Sequence, residues 1–499
     1  MSDWSKVLRW VRNCSWWLLL LLLPVTSMPI IVKLVHSDTV AAPSGIFLGI
    51  LVIFWLIPYF FSHGKFPKLT VPLLVFTGIA IAASALAFFY PIPVFKNHSV
   101  ISETATSLLT LGIGLAFYFV TITFIRDEKW LKTTFQLICI AGAVIILWSI
   151  AQSISWFTIN RYPTWMKTIH EWYSVGPLYR QRVSGFTLEP SWLAHQLNIL
   201  FIPYWLGASL AKSSVFRWRI GKISIENVLL VLGMGILLLT SSRIGLAAFL
   251  TMLAIPVLRI ALRILGNVNK WITSRPVFLR IGKGLQILVK ILWIFILLVL
   301  AIVVIIGLGY ILSKLDLRMR SLFEFDFQHR DALLYYAEKL SLAARFVYWD
   351  AGWGVFEKYP WLGVGLGNSG FFFPETLSPY AWKLTEVRML LFRSDLLMNA
   401  KSLWIRLLAE SGIIGFSAFI CWLFAIGKSI PKMLHGDNPI IQSIGWMGIF
   451  TLVGLFFEGF SLDTFGLPYY WIALGIVSCM AAINSGRCIN TRIPPPEQV

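Results

Sequence analysis

Arg182, Arg243 and Arg345 stand out because they lie in segments read as facing outside, where the positive-inside rule disfavours basic residues. Arg243 lies in Thr240-Ser241-Ser242-Arg243-Ile244-Gly245-Leu246, a tight turn between two apolar runs. Arg182 opens Arg182-Val183-Ser184-Gly185-Phe186-Thr187-Leu188-Glu189-Pro190-Ser191, just before another such run. A guanidinium stays charged at any working pH and grips phosphate oxygens through a planar fork. Several of them at the edge of a hydrocarbon layer make a fixed receptor for a diphosphate, and a charge at that depth usually marks a site. Arg180 belongs to the same group by position. Each arginine also has a plainer reading: interfacial snorkelling for Arg243, a loop pair with Glu189 for Arg182, and a solvated helix face beside Asp350 or Glu338 for Arg345. No Walker loop or dinucleotide fingerprint competes for the phosphate.

The elements that must hold these residues are membrane helices. Of 499 residues, 58% are hydrophobic and only 13% charged, a bias that a soluble chain of this length does not sustain. A span takes about 20 apolar residues. The sequence predicts an all-α polytopic membrane protein with about 12 such spans. They fall near 15–35, 44–62, 69–91, 104–125, 133–157, 191–211, 225–241, 244–262, 287–312, 403–427, 439–460 and 464–484. The run at 15–35 reads as a span and not as a cleaved leader, since it is long and has no small-residue cleavage site.

Alternate loops are basic, beginning with Lys6, Arg9 and Arg12 and continuing through Lys65 and Lys68, Arg126 and Lys129, Lys212 to Lys222, Arg263 to Lys283, Lys428 and Lys432, and Arg487 and Arg492. By the positive-inside rule both termini are expected in the cytoplasm. The formal net charge of +19 is then explained by basic loops against anionic lipid, with no nucleic-acid partner required. The five cysteines, Cys14, Cys139, Cys421, Cys479 and Cys488, fall in spans or near the cytoplasmic face, so no disulfide framework is expected.

This gives an organisation of nine spans in 1–312 with an external loop near 158–190, a large helical external loop at 313–402, three spans in 403–485 and a cytoplasmic tail at 486–499. The large loop carries Trp349, Trp353, Trp361, Trp382 and Phe371-Phe372-Phe373, too aromatic for a solvated linker. The spacing of Leu333, Ala337, Leu340, Ala344, Val347, Tyr348 and Ala351 predicts a helix over 329–358, ended at Tyr359-Pro360. An ordered cap over the membrane follows.

In order along the chain, these motifs resemble the O-antigen ligase and O-antigen polymerase superfamily of bacterial inner-membrane glycosyltransferases. Arg182 to Gly185 with Glu189-Pro190 is similar to its Arg-x-x-Gly segment. Ser242-Arg243 is similar to its Ser-Arg motif. Arg345, Trp349 and Pro360-Trp361-Leu362-Gly363-Val364-Gly365 resemble its periplasmic block, and Leu407-Leu408-Ala409-Glu410-Ser411-Gly412 the helix that follows. The resemblance implies a GT-C-like glycosyltransferase that moves or polymerises glycan from an undecaprenyl-diphosphate-linked donor to a hydroxyl acceptor, a glycan or a lipid, at the periplasmic face. It implies Arg182, Arg243 and Arg345 as diphosphate ligands. Where the family carries a His-Asn pair, this chain has Lys401-Ser402. A protonated lysine takes no proton unless its pKa falls far, so Lys401 is expected to act there as a further cation if not as the base.

Glu189 is the first candidate base, ahead of His195, His170 and His329; His195 is expected more readily as a satisfied core histidine. Glu410, Glu458 and Asp463 lie in or beside spans and invite the same question. No cofactor is expected and no metal, since the external carboxylates show no ligand spacing. The rival is a lipid-linked oligosaccharide flippase, which calls for two similar halves that the sequence lacks. Periplasmic placement of 313–402 predicts that a cysteine at Ser378 is labelled from outside the cell. Labelling from the cytoplasmic side alone would reverse the topology.

Overall fold

The computed structural model describes residues 3–35, 41–62, 64–273 and 342–484, with scattered helical positions between 284 and 337. The span expected at 287–312 and the first half of the 329–358 helix, His329 and Glu338 included, lie largely outside the described residues. The chain divides into two compact units. One joins Met1–Gly245 to Ser341–Val499 and holds the five candidate site residues. The other is Leu246–Leu340, which begins inside a long helix.

The described residues are mostly helical: α1 Asp3–Leu21, α2 Pro29–Val35, α3 Ser44–Phe61, α4 Lys68–Phe89, α5 Val100–Phe124, α6 Glu128–Ile159, α7 Thr164–Tyr173, α8 at 190–211, α9 Ile225–Leu239, α10 Arg243–Thr273, α11 Ala343–Lys358, α12 Ser369–Thr376, α13 Thr385–Phe392, α14 Leu403–Leu434, α15 Pro439–Glu458 and α16 Tyr469–Asn484. A two-stranded antiparallel hairpin, Arg219–Ile220 with Ile223–Ser224, precedes α9. Seven helices among the described residues are long and apolar enough to cross a membrane. The chain is a multi-pass helical membrane protein.

The stretch read as one span at 15–35 is broken. α1 stops at Leu21 and α2 starts at Pro29. Pro24 brings no N–H to continue a helix, whereas Pro29 suits a first turn. The freed backbone is used: Leu23 O accepts from the Tyr469 hydroxyl and Pro24 O from Gln196 Nε2, each at 3.1 Å. Thr26 Oγ1 accepts from Leu188 N at 2.9 Å, bracing the residue before Glu189.

α8 is interrupted by a π turn, Leu197–Phe201, a local form frequent at functional sites. Thr451 Oγ1 of α15 donates to Ile199 O in that turn at 2.9 Å. The close approach needs a glycine opposite, because a Cβ on Gly454 would sit 2.4 Å from Asn198 O.

α14 is kinked at Gly412, whose φ of 62° and ψ of −171° are open in practice only to glycine. The kink frees backbone groups that the Pro360–Gly365 turn takes up. Val364 N donates to Ala409 O and Gly365 N to Glu410 O, both at 3.0 Å, while Ile413 N donates to Pro360 O at 2.8 Å. The two motifs are thus halves of one joint. A Cβ on Gly412 would lie 2.2 Å from Trp361 O, and one on Gly363 (φ 67°) 2.5 Å from Ala409 O. Gly363→Ala and Gly412→Ala are each expected to lose at least about 1–2 kcal/mol from backbone strain alone. Thermal unfolding in detergent reads this; unchanged melting would mean the joint is dispensable.

Candidate active site

The Arg182 segment is pinned before it reaches α8. Gly185 N donates to Gln152 Oε1 at 3.0 Å and Gly185 O accepts from Gln152 Nε2 at 3.3 Å. Tyr173 Oη lies 3.2 Å from the same carbonyl. His170 is absorbed into this support. Its Nε2 lies 2.8 Å from Gly176 O and its Nδ1 2.9 Å from Tyr173 Oη. Burial lowers its pKa. Held this way, His170 positions the loop and has no nitrogen left for a substrate.

Arg182 then turns back onto the α9–α10 junction. Its Nε donates to Thr240 O at 2.9 Å, and Val183 N donates to Leu239 O at 3.1 Å. Arg243 starts α10 three residues after Thr240. Ser241 adopts a left-handed φ of 51°, and Ser242 Oγ accepts from Gly245 N at 3.2 Å, closing the first turn as a cap does. The Thr240 carbonyl therefore ties Arg182 to the junction from which Arg243 starts α10.

The junction leads to the third arginine through the π turn. Asn198 Nδ2 donates to Gly245 O at 2.8 Å and to Glu458 Oε1 at 2.7 Å. Glu458, 1% exposed, ends α15, and its charge acts on Arg345. Arg345 Nη1 donates to Ser461 O at 3.1 Å, and Trp349 packs on Phe460 with ring centroids 5.4 Å apart, so α11 is seated on the 459–463 loop. Burial lowers the Arg345 pKa, and carboxylates oppose this; Glu189 acts most strongly, ahead of Glu386, Asp463 and Glu458. A guanidinium keeps its proton regardless.

Glu189 itself is half-buried and caps no amide with its side chain. Ser191 Oγ donates to its Oε1. His195, one turn further on, is buried, but neither ring nitrogen has a hydrogen bond among the described residues; the nearest charge is Glu458 Oε2, 3.9 Å from Nδ1. The satisfied core histidine expected there is therefore not what the structure contains. Arg180 stands apart. It lines a separate pocket of about 760 Å³ with Arg161, Lys167 and Glu171, to which Arg182, Arg243 and Arg345 do not contribute.

Lys401 is committed elsewhere. Its Nζ pairs with Glu386 of α13 and lies 4.7 Å from the centroid of the Tyr348 ring. Its backbone has a left-handed φ of 47°, and its N–H donates to Asp463 Oδ2 at 3.2 Å. Ser402 then caps α14 and ties it to Gly459 O at 3.1 Å. Lys401 thus fastens α13 and α14 to the loop that seats Arg345.

Sequence reasoning passed over Arg406. Its Nε donates to Glu410 Oε2 at 2.8 Å, its Nη1 to Asp463 O at 2.6 Å and its Nη2 to Ser107 Oγ at 3.1 Å. Glu410 also accepts from Ser369 Oγ at 2.9 Å. This pair, four residues apart in an apolar helix, was visible as a signal. It locks α14 to α5, α12 and the 459–468 loop, which accounts for Glu410 without catalysis. Asp463 is held by the same network; burial pushes its carboxyl upward and the Arg406 charge opposes that. Arg406→Ala strands a buried carboxylate and is expected to cost about 3–5 kcal/mol, read as loss of folded protein in the membrane. Normal folding with slowed transfer would instead make Arg406 part of the chemistry.

Residues 228–420 match the family model described as O-Antigen ligase. The match spans Arg243, Arg345, Lys401 and both halves of the Gly363–Gly412 joint, and it bears out the resemblance to the O-antigen ligase and polymerase superfamily. Arg182 and Glu189 precede it. No curated protein matches the chain.

Proposed function

We propose that the chain transfers or polymerises glycan from an undecaprenyl-diphosphate-linked donor to a hydroxyl acceptor at the periplasmic face of the bacterial inner membrane. The O-Antigen ligase match supports the class of enzyme. The observation that supports this site is the link between three separate segments: Arg182 and Glu189 from one, Arg243 from the α9–α10 junction and Arg345 from α11, joined through Thr240 O, Gly245 O, Asn198, Glu458 and the 459–463 loop, with the Glu189 charge acting on Arg345.

In this reading the donor's diphosphate lies against the guanidiniums of Arg243 and Arg345, with Arg182 holding the junction and adding charge. The acceptor oxygen attacks the anomeric carbon as the bond from that carbon to the phosphate oxygen breaks. The electron pair of that bond stays on the diphosphate, where fixed cations stabilise it without reorganising. The hydroxyl proton passes to Glu189. In the free protein the Glu189 charge acts on Arg345 more than that of any other carboxylate. An arriving diphosphate competes for that guanidinium and releases Glu189 toward the acceptor. Lys401 serves as a positioning residue through Glu386.

Deletion in the host tests the class of reaction. Long glycan left on its lipid carrier identifies a ligase, and glycan shortened to a single repeat identifies a polymerase. Unchanged surface glycan with donor trapped on the cytoplasmic side would point instead to a transporter.

A further inference from the structure

Four lysines surround one pocket at the end of the bundle remote from the arginine site. Lys65 and Lys68 come from the segment leading into α4, and Lys428 and Lys432 from the last turns of α14. α14 begins at Leu403, beside the loop that seats Arg345. Lys428 lies roughly seven turns further along, about 38 Å at the α-helical rise, or about a bilayer thickness away. The pocket holds about 640 Å³, and its wall is otherwise mostly apolar, with Phe66 and Met433 among its residues. No aspartate or glutamate lines it.

Basic residues at one end of membrane helices are common, and lysines in a last turn also complement the helix dipole. The positive-inside rule accounts for all four lysines on this side, and the dipole favours only Lys428 and Lys432, since Lys65 and Lys68 precede or open α4. Neither accounts for their being drawn from two separate segments to line one pocket without a carboxylate. Four like charges facing one concavity without a carboxylate repel each other until an anion joins them. The apolar wall calls for an anion that also carries hydrocarbon.

We propose that this pocket binds the phosphate-bearing headgroup of an anionic phospholipid, with the lysines on the phosphate and the glycerol and first methylenes against the apolar wall. Basic pockets between membrane helices have that chemistry. The site is independent of the glycan-transfer reading.

The test is native mass spectrometry of the full chain released from nanodiscs of phosphatidylcholine containing phosphatidylglycerol. One phosphatidylglycerol is expected to stay bound at least about tenfold more tightly than phosphatidylcholine, as expected of several charge-assisted contacts. The Lys65→Gln, Lys68→Gln, Lys428→Gln, Lys432→Gln variant should lose that preference. The two paired variants, one from each segment, should each lose part of it, and they carry the test if the fourfold variant folds poorly. Excess inorganic phosphate should not displace the lipid. Equal retention of both lipids, or an unchanged preference in the variants, would overturn the proposal. Displacement by inorganic phosphate would overturn the lipid assignment in favour of a soluble phosphate.

Discussion

Arg345→Lys is expected to cut glycan transfer about a hundredfold, nearly as far as Arg345→Ala, and Arg243→Lys to do the same. Lysine keeps the charge but loses the planar fork that fits two phosphate oxygens at once. Losing one such contact in the transition state costs on the order of 3 kcal/mol, which is about two decades in rate. Arg345 is half-buried and donates to Ser461 O, while Trp349 against Phe460 keeps α11 seated when Arg345 is replaced. Transfer per unit of protein in the membrane is the quantity to compare. Near-wild-type transfer by both lysine variants would leave charge alone, or interfacial snorkelling, as the better account of these arginines.

Glu189→Gln is expected to slow transfer by about 10²–10⁴-fold, the usual contribution of a general base. The glutamine retains an oxygen for the Ser191 hydroxyl, so the start of α8 keeps its local contact. Loss of the base should lower kcat with little change in donor KM, because the proton moves only as the new bond forms. Glu458 is the alternative. It is buried and tied to Asn198, and its charge acts on Arg345. A near-normal Glu189→Gln enzyme beside an inactive Glu458→Gln enzyme would transfer the role to Glu458.

The helices of the bundle were legible because apolar runs of span length leave little choice of structure. The break at Leu22–Met28 was passed over: Pro24 and Pro29 mark it, but the hydropathy stays high across it, and polar contacts with Gln196, Leu188 and Tyr469, all distant in sequence, hold it open. The arginines and Glu189 could be found as charges out of place. The chain of contacts that joins the Arg182, Arg243 and Arg345 segments could not, since it passes through Asn198, an amide with no distinguishing sequence signal. Glu410 was flagged but left without its partner, although Arg406 stands one turn away. Lys401 was weighed for chemistry on its place in a motif, whereas its pairing with Glu386 depends on how α13 folds back. The Pro360–Gly365 and Leu407–Gly412 motifs were read as separate matches; their backbones form one joint because each glycine leaves room for the other strand.

The central claim, that this arginine cluster receives the donor's diphosphate, is tested most directly by binding of a polyprenyl diphosphate to the purified chain in nanodiscs. Wild-type protein should bind it, and Arg345→Lys should bind it about ten- to a hundredfold more weakly, the loss of one charge-assisted hydrogen bond. Equal affinity for the wild type and the lysine variant would contradict the claim.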